Sequence, residues 1–311
     1  METPVSSHPE LSHADLPVLP YDHWRATKDT LHLYCQIVGK IRLASTPWRN
    51  HWWNVPLYVT ARGLSTGRME QAGHSFDLEF DFARHALVLR DDRGDEAVIP
   101  LRHGLTVADF HDAVFDRLAD MGLHPTIVAR PFGLPVTTPF ARDREHADYD
   151  PGAVARFWHV LRWTDTVLER FSGRFTGKTS RVHLFWHSFD LALNRFSGRS
   201  APAISGADPV TRSAYSHELI SFGFWPGDPD RQFPAFYSYT APEPSGLRRN
   251  LLRPEQATWT GGDGASLAVL RYDDVRKSDD PELALTDFYE SAYVAGADAA
   301  GWDRSALAAV R

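Results

Sequence analysis

The spacing of apolar residues switches between a helical period and a strand period along this chain. From Asp22 to Leu43, apolar side chains recur every three or four residues, which predicts a long helix with one buried face. From Trp53 to Arg62, and again in HSFDLEFDF at residues 74–82, apolar and polar residues alternate. Because the polar positions of residues 74–82 are acidic, we expect a strand with one face in water. A hairpin is predicted next, in which ALVLR and AVIPL flank the turn DDRGDE.

Helix start signals recur at three later points. Thr106 precedes a helix predicted from Val107 to Met121, and Gly122 is suited to end it. Asp-Pro pairs at 150–151 and 280–281 each place an N-cap residue before a proline in the first turn, where proline is favoured. These signals predict the beginnings of a third long helix and of the last helix.

The second half of the chain contains four predicted strands, at residues 180–196, 216–225, 234–240 and 265–275. A loop is expected from Ser245 to Gly264, and HPTIVARPF, residues 124–132, is predicted as a short edge strand of the first half. The sequence therefore predicts an α+β fold of two similar αβββα halves, whose mainly antiparallel sheets pack against long helices. The first strand of each half closes on Gly-Arg, at 67–68 and 198–199, which we interpret as a structural repeat.

Proline spacing and charge divide the chain into segments. Residues 1–20 are polar and contain four prolines, which predicts an extended N-terminal arm. Residues 134–150 are proline-punctuated and charged, and they are predicted to link a first half, residues 21–133, to a second half, residues 151–311. We expect the two halves to form one functional unit.

Composition narrows the classes of function. A hydrophobic content of 43%, with 12% aromatic residues, is enough for a large core. A net charge of −7 disfavours a nucleic-acid partner, because domains that bind nucleic acid usually carry a basic face. No run approaches the roughly 18 apolar residues that span a membrane, and the first residues lack the apolar middle of a signal peptide. We therefore expect a cytoplasmic protein without a membrane partner, and the sequence leaves the oligomeric state unknown.

The motifs of several cofactor classes are missing from the sequence. Cys35 is the only cysteine, so one chain cannot form a disulfide or a thiolate cluster, and its apolar surroundings predict a small buried residue. No dinucleotide fingerprint, Walker loop or H-E-x-x-H stretch is present, which leaves NAD, ATP and zinc-protease chemistry without support. The cofactor is therefore unknown from the sequence.

Glu218, Asp190 and His217 are the candidate catalytic residues. By alternation, Glu218 shares a strand face with large apolar side chains. A carboxylate in such surroundings either has a raised pKa, as general acids and bases do, or forms a buried ion pair. Arg195 and Arg62 are the arginines considered for that pair, and both interpretations stay open.

Aromatic and arginine side chains on the predicted strands supply candidate pocket walls. If the strand after Trp53 meets the strand at 180–196, the two would enclose an aromatic pocket between the halves. We expect an arginine to hold an anionic group of a small-molecule ligand there. The candidate substrate-binding residues are Trp52, Tyr58, Arg62, Trp186, Arg195, Trp225 and Tyr237.

The leading interpretation is a small-molecule enzyme with carboxylate or histidine acid–base chemistry, and two alternatives stay open. In the first, His51, His146 and His217 are the candidate ligands of a mononuclear metal enzyme, completed by a carboxylate. The H-x-D spacing at 146–148 gives this alternative weak support, because fifteen histidines produce such spacings by chance. In the second, the aromatic surface of a non-catalytic protein binds a small molecule or acts as a scaffold.

Five long motifs give the chain a family resemblance. They are LPYDHWRATKDTLHLYCQIVGKIRLA, NHWWNVPLYVTARGL, REHADYDP, HLFWHSFDLALNRFSGR and YSHELISFGFWPG. Through them the chain resembles a bacterial family of unknown function, the one numbered 5996, from Leu16 to about Trp302. The resemblance implies a single functional unit and implies no activity.

Overall fold

The computed structural model describes residues 16–262 and 264–309. These residues form two antiparallel sheets and seven helices, joined by loops and short turns. The predicted α+β class is confirmed. Most of the predicted N-terminal arm, residues 1–15, lies outside the described ranges, within which no helix is long and apolar enough to cross a membrane. The helices are α1 (Tyr21–Ala44), α2 (Val107–Asp120), α3 (Pro151–Ser172), α4 (Pro209–Ala214), α5 (Tyr272–Arg276), α6 (Pro281–Ala299) and α7 (Arg304–Leu307).

Each sheet has six strands. The N-terminal strands are β1 (Tyr58–Val59), β2 (Gly63–Ser65), β3 (Met69–Gln71), β4 (His74–Asp81), β5 (Ala86–Asp91) and β6 (Glu96–Pro100). Their order is β1-β2-β4-β5-β6, and β3 also pairs with β4. The C-terminal strands are β7 (His183–Phe185), β8 (Asp190–Ser200), β9 (His217–Trp225), β10 (Ala235–Ala241), β11 (Thr258–Thr260) and β12 (Leu267–Arg271). Their order is β11-β12-β10-β9-β8-β7.

One pair of leucines joins the two sheets edge to edge. The Leu57 N–H donates to the Leu184 carbonyl at 2.9 Å, and the Leu184 N–H donates to the Leu57 carbonyl at 2.7 Å. Leu57 directly precedes β1 and Leu184 lies in β7, so the edge strands of the two sheets are neighbours. Both leucines are fully buried, which places these hydrogen bonds away from competing water.

The long helix α1 is buried over most of its length and packs against both halves. Its Tyr34 ring stacks on Phe110 of α2, with ring centroids 4.0 Å apart. Its Trp24 ring lies 4.8 Å from Phe157 of α3. A helix buried on nearly every side belongs to the centre of a core rather than to its surface.

A close approach between α1 and the turn after β7 depends on Gly39. The indole ring of Trp186 lies against this glycine so closely that a Cβ there would overlap the ring. Trp186 is held on its other side, because its Nε1–H donates to the Val55 carbonyl at 2.9 Å. Trp186 is therefore a buried packing residue between α1 and the loop before β1.

The helix start signals are confirmed. The Thr106 hydroxyl accepts a hydrogen bond from the Asp109 N–H at 3.0 Å, as an N-cap of α2. Asp150 and Asp280 cap α3 and α6 in the same way, each followed by proline in the first turn. Local capping chemistry thus sets where the later helices begin.

Residues 180–196 were expected to form one strand, and this prediction is wrong because a tight turn interrupts it. β7 ends at Phe185 and β8 begins at Asp190. The Phe189 N–H donates to the Phe185 carbonyl at 2.7 Å, and Phe189 has a left-handed φ of 58°. His32 of α1 secures the turn, because its Nε2–H donates to the Trp186 carbonyl at 2.9 Å. Trp186 therefore lies on a turn, not on a strand face.

Other expected strands also differ from the structure. The alternating stretch at 53–62 forms only β1, and it follows a turn in which His51 and Trp52 have φ values of 57° and 60°. Residues 124–132, which are all described, form no strand. The loop expected at 245–264 contains β11.

The acidic side of β4 was expected to face water, and this is wrong for Glu79 and Asp81, whereas the Asp77 side chain is 33% exposed. Asp81 is fully buried and accepts a hydrogen bond from Arg62 Nε at 2.7 Å. Glu79 is 9% exposed and accepts from the Thr60 hydroxyl at 2.8 Å and from Arg90 at 3.0 Å. These carboxylates stay buried because arginine and hydroxyl donors from neighbouring segments satisfy them.

The predicted likeness of the two halves is not confirmed. Each half has a six-stranded antiparallel sheet between long helices, but the strand orders differ. In the N-terminal sheet both β2 and β3 pair with β4, whereas the six C-terminal strands follow one unbranched path. The helix α4 also separates β8 from β9.

Gly39→Ala tests the contact between α1 and Trp186. In an exposed helix this change usually stabilises by roughly 1 kcal/mol. Here the added methyl overlaps a ring that is held from behind, so we expect the free energy of unfolding to fall by about 1–3 kcal/mol. Urea denaturation followed by circular dichroism measures this change. Gly152→Ala, in the first turn of α3, is the matched control, and an equal effect of both changes would contradict the proposed overlap.

Candidate functional site

The C-terminal sheet has one face in the core and one face that is largely polar. On the core face, Phe222 lies 4.9 Å from Phe171 of α3, and Phe236 lies 6.4 Å from Tyr289 of α6, measured between ring centroids. The side chains of alternate residues on β8, β9 and β10 project from the opposite face. We call this second surface the polar face; it carries Asp190, Asn194, Ser221, Tyr237 and Tyr239.

Strand register brings the members of the polar face together. Ser221 of β9 lies opposite both Asn194 of β8 and Tyr239 of β10. Gly223 lies opposite Tyr237, and a Cβ at this glycine would overlap the tyrosine ring. The missing side chain therefore lets the Tyr237 ring lie across the sheet.

Asp190 begins β8 and accepts two hydroxyl donors. The Tyr237 hydroxyl donates to its Oδ2, and the Ser188 hydroxyl donates to its Oδ1. Asp190 is 9% exposed, so it is almost enclosed. Two hydroxyl donors stabilise the carboxylate without supplying a counter-charge.

A chain of hydroxyls leads away from Asp190 across the polar face. Ser221 lies beside both tyrosines on the sheet, and its hydroxyl opposes the rise in the pKa of Tyr237 and of Tyr239. The Tyr239 hydroxyl is 3.2 Å from that of Tyr215, which follows α4. We call the set Asp190, Tyr237, Ser221, Tyr239 and Tyr215 the hydroxyl chain.

Burial keeps the tyrosines of the hydroxyl chain protonated. It raises the pKa of Tyr237 well above the usual value, and the nearby Asp190 carboxylate raises it further. Burial and Tyr215 raise the pKa of Tyr239 in the same direction. Burial also lowers the pKa of His187, although Asp190 opposes that shift. Neutral hydrogen-bonding groups thus surround a single carboxylate.

Two polar atoms on this face are buried and have no hydrogen-bond partner among the described residues. They are Oδ1 of Asn194 and Nε2 of His183. His183 lies opposite Ala192 of β8, which places it on the polar face. Burial lowers the pKa of His183 to about 3, so its ring is neutral. Unpaired buried polar atoms are rare in folded proteins, and a polar ligand could satisfy these two.

The structure brings some of the predicted substrate-binding residues to the polar face. Tyr237 belongs to the hydroxyl chain, and Trp225 ends β9 on the same side as Ser221 by alternation. The Tyr58 ring lies edge-on to His183 with ring centroids 6.3 Å apart. Of the candidate catalytic residues, Asp190 lies on this face together with these three aromatic residues.

Three predicted pocket residues lie elsewhere. Arg62 lies in the turn between β1 and β2 and pairs with Asp81. Arg195 is buried on the core face, where its guanidinium carbon lies 3.5 Å from the centroid of the Phe171 ring and it donates to the Phe171 carbonyl. Trp186 packs on α1. The predicted anion-holding role of the two arginines therefore has no support at the polar face.

Trp52 belongs to the turn at Asn50–Trp52, which packs against α4. Its ring Nε1 is buried and has no hydrogen-bond partner among the described residues. Trp52 therefore lies near one end of the polar face but outside the hydroxyl chain.

Glu218 projects from the opposite side of β9 to the hydroxyl chain. Its Oε2 accepts from Arg199 Nη2 at 2.6 Å, from the Ser197 hydroxyl at 3.0 Å and from Trp302 Nε1 at 3.1 Å. The arginine partner is thus Arg199, and neither Arg195 nor Arg62. Glu218 also lines a cavity of about 190 Å³ with Glu243.

The three histidines of the metal alternative are not brought together as a ligand set. The rings of His51 and His217 lie 5.6 Å apart. His146 instead bonds to Asp143 at 2.8 Å near the beginning of α2. Within residues 16–262 and 264–309, no group of three or more histidine, cysteine or acidic residues is placed to hold a metal ion.

Sequence reasoning missed several residues of the site. Tyr239 and Ser221 share the alternation of Tyr237, but only the strand register shows that they are neighbours. Tyr215 follows a short helix that was not predicted. Lys178, which contacts His51, gave no sequence signal.

A half-buried carboxyl on α3 titrates near neutrality. Burial raises the pKa of Asp165 to about 7, and the Glu169 carboxylate adds to the shift, while Arg181 opposes it. Arg181 in turn lies 4.2 Å from the centroid of the Tyr58 ring. Asp165 is therefore close to the junction between the sheets.

Comparison with known proteins gives one match. The family model described as "Family of unknown function (DUF5996)" matches residues 16–309. No curated protein and no solved structure matches the chain.

Glu218→Gln tests whether this residue stabilises the fold. The change removes the charge that holds Arg199 and weakens the bonds from Ser197 and Trp302, so we expect the free energy of unfolding to fall by about 1–2 kcal/mol. Glu255→Gln, in the loop before β11, is the control. Urea titration of both variants measures the difference, and an unchanged midpoint for Glu218→Gln would reject a structural role.

Asp165→Asn tests the raised pKa. Because the folded pKa of about 7 lies above the ordinary value of 3.8, the folded state binds the proton more tightly, and stability falls as pH rises through this interval. Asparagine carries no charge and removes that loss. We therefore expect the free energy of unfolding to rise by about 1–3 kcal/mol at pH 8 and by less at pH 5. Thermal unfolding at both pH values checks this. Asp116→Asn, on the exposed side of α2, is the control, and a gain that did not grow with pH would contradict the assignment.

Proposed function

We propose that this chain, which belongs to the DUF5996 family of unknown function, is an enzyme that acts on a small molecule and uses Asp190 as its acid–base group. The hydroxyl chain that ends on Asp190 carries the proposal. A nearly enclosed carboxylate with two hydroxyl donors is suited to take a proton from a bound substrate and to return it. We also propose that the protein is bacterial and cytoplasmic, and that it binds a small molecule and neither a nucleic acid nor a membrane.

Tyr237 orients the carboxylate in this mechanism. Its hydroxyl holds Oδ2 of Asp190, and its raised pKa keeps it a neutral donor at physiological pH. When Asp190 takes a proton, the Tyr237 hydrogen bond can reorganise along Ser221 and Tyr239 to Tyr215. The hydroxyl chain thus supplies a route by which the proton reaches the surface.

The substrate is recognised by polar and aromatic groups on the same face. Asn194 Oδ1 and His183 Nε2 supply hydrogen-bonding positions that the protein itself leaves unused. The half-buried rings of Tyr58 and Trp225 supply apolar contact. This combination favours a ligand with several polar groups on a small apolar frame.

Asp190→Asn tests the acid–base role without a known substrate. A metabolite extract is incubated with purified protein, and mass spectrometry follows which compounds disappear. We expect the wild type to convert at least one compound, and Asp190→Asn to convert it about 10²–10⁴-fold more slowly, because the proton acceptor is lost. Tyr237→Phe should reduce the rate less, since it removes only an orienting donor.

Tyr289→Phe is the matched control. Its hydroxyl is buried on the core face and donates to the Gly223 carbonyl at 3.1 Å, so the variant loses a comparable hydrogen bond outside the polar face. This variant should keep the wild-type rate. Conversion by Asp190→Asn at the wild-type rate would overturn the acid–base role, and a compound that is bound but never converted would favour a non-catalytic binding protein.

A further inference from the structure

A second cluster lies at the far end of the same sheet face and is built around Lys178. The Lys178 Nζ is 2.7 Å from His51 Nε2, 5.1 Å from the centroid of the Trp53 ring and 4.8 Å from that of Phe196. We call these four residues the lysine site. Phe196 is six residues beyond Asp190 on β8, about 20 Å along a strand, so the lysine site is separate from the carboxylate.

The hydrogen bonds of His51 determine which ring nitrogen faces the lysine. His51 Nδ1 is 3.1 Å from the Ala214 carbonyl, which can only accept, so Nδ1 carries the proton. Nε2 therefore presents a lone pair to the Lys178 amine. Burial lowers the pKa of His51, which keeps the ring neutral and able to accept.

Lys178 differs from the other lysines because it is exposed and yet has no ion pair among the described residues. Lys40 is also close to a ring, with its Nζ 5.6 Å from the centroid of Trp186, and burial also lowers its pKa, but Lys40 is only 9% exposed. Lys28 and Lys277 form ion pairs with Asp29 and Asp273. Lys178 forms no ion pair within the described ranges and contacts only rings and a neutral imidazole. Partial burial of its amine lowers its pKa, while the residue as a whole is exposed and open to solvent. Such surroundings favour a nucleophilic amine.

The backbone that positions His51 is strained. His51 and Trp52 are consecutive non-glycine residues with φ values of 57° and 60°. This conformation costs about 1 kcal/mol or more for each residue and persists only where the surroundings impose it. The contacts of the His51 ring with Ala214, Lys178 and Phe196 are the surroundings that hold this conformation.

We propose that Lys178 is a reactive amine that condenses with the carbonyl group of an aldehyde, with His51 as the proton acceptor. Trp53 and Phe196 flank the amine, so an aldehyde with an aromatic or apolar substituent fits best. This proposal does not depend on the proposed role of Asp190, so an experiment can reject one of the two proposals without rejecting the other.

The condensation balances with the groups present. His51 Nε2 takes a proton from the Lys178 ammonium, and the freed nitrogen lone pair forms a bond to the carbonyl carbon. His51 returns this proton to the carbonyl oxygen, and it then carries a second proton from the attached nitrogen to the resulting hydroxyl group. The hydroxyl group leaves as water, and the product is a protonated imine of Lys178. The net reaction is amine plus aldehyde to imine plus water, and no oxidant or reductant takes part.

Benzaldehyde with sodium cyanoborohydride is the probe for this site. The reductant converts any imine into a stable benzylamine, and peptide mass spectrometry locates it on the full-length chain. Only four lysines are present, at positions 28, 40, 178 and 277, so the assignment is simple. Lys277 is the internal reference, because its side chain is 63% exposed.

At pH 7.5 we expect Lys178 to be labelled at least about tenfold faster than Lys277. His51→Gln should remove this advantage and leave the Lys277 rate unchanged in the same sample. Labelling of the wild type in 8 M urea should equalise the two lysines, which tests the proposal even if His51→Gln fails to fold. Equal rates in the native wild type, or an unchanged advantage in folded His51→Gln, would overturn it.

Discussion

The two hydrogen bonds between Leu57 and Leu184 set the relation between the sheets, and both proposed sites depend on them. They fix the loop before β1 against β7, so the turn that contains His51 meets the C-terminal sheet beside Phe196. The bonds involve only backbone atoms of buried residues and place no demand on side-chain identity. Side chains around this junction are therefore free to carry chemistry.

The contact between α1 and the turn at 186–189 fixes the other end of the polar face. Gly39 admits the Trp186 ring, and His32 holds the carbonyl of the same residue. The turn places Asp190 at the beginning of β8, next to Tyr237. Burial lowers the pKa of His32 to about 3, so this support stays neutral and intact through the ordinary pH range. The position of the carboxylate thus depends on packing in the opposite half.

Local signals predicted the four long helices, but they could not predict the site. The caps at Thr106 and Asp150 act on their own helices, so sequence spacing was enough to place α2 and α3. The turn after Phe185 contains neither glycine nor proline, and tertiary contacts from α1 impose it. Asp81 was misplaced for a similar reason, because its partner Arg62 comes from the turn between β1 and β2. Register and long-range partners, which alternation does not specify, decide which residues meet.

Alternation alone does explain why the predicted residues divide into two groups. Asn194 and Arg195 are adjacent on β8, and so they lie on opposite faces of the sheet. Arg195 is surrounded by core aromatic rings, whereas Asn194 faces the hydroxyl chain. Glu218 lies on the opposite side of β9 from Ser221 for the same reason. Because one face is occupied by core packing, the proposed acid–base chemistry is assigned to the other face, where Asp190 lies with the tyrosines.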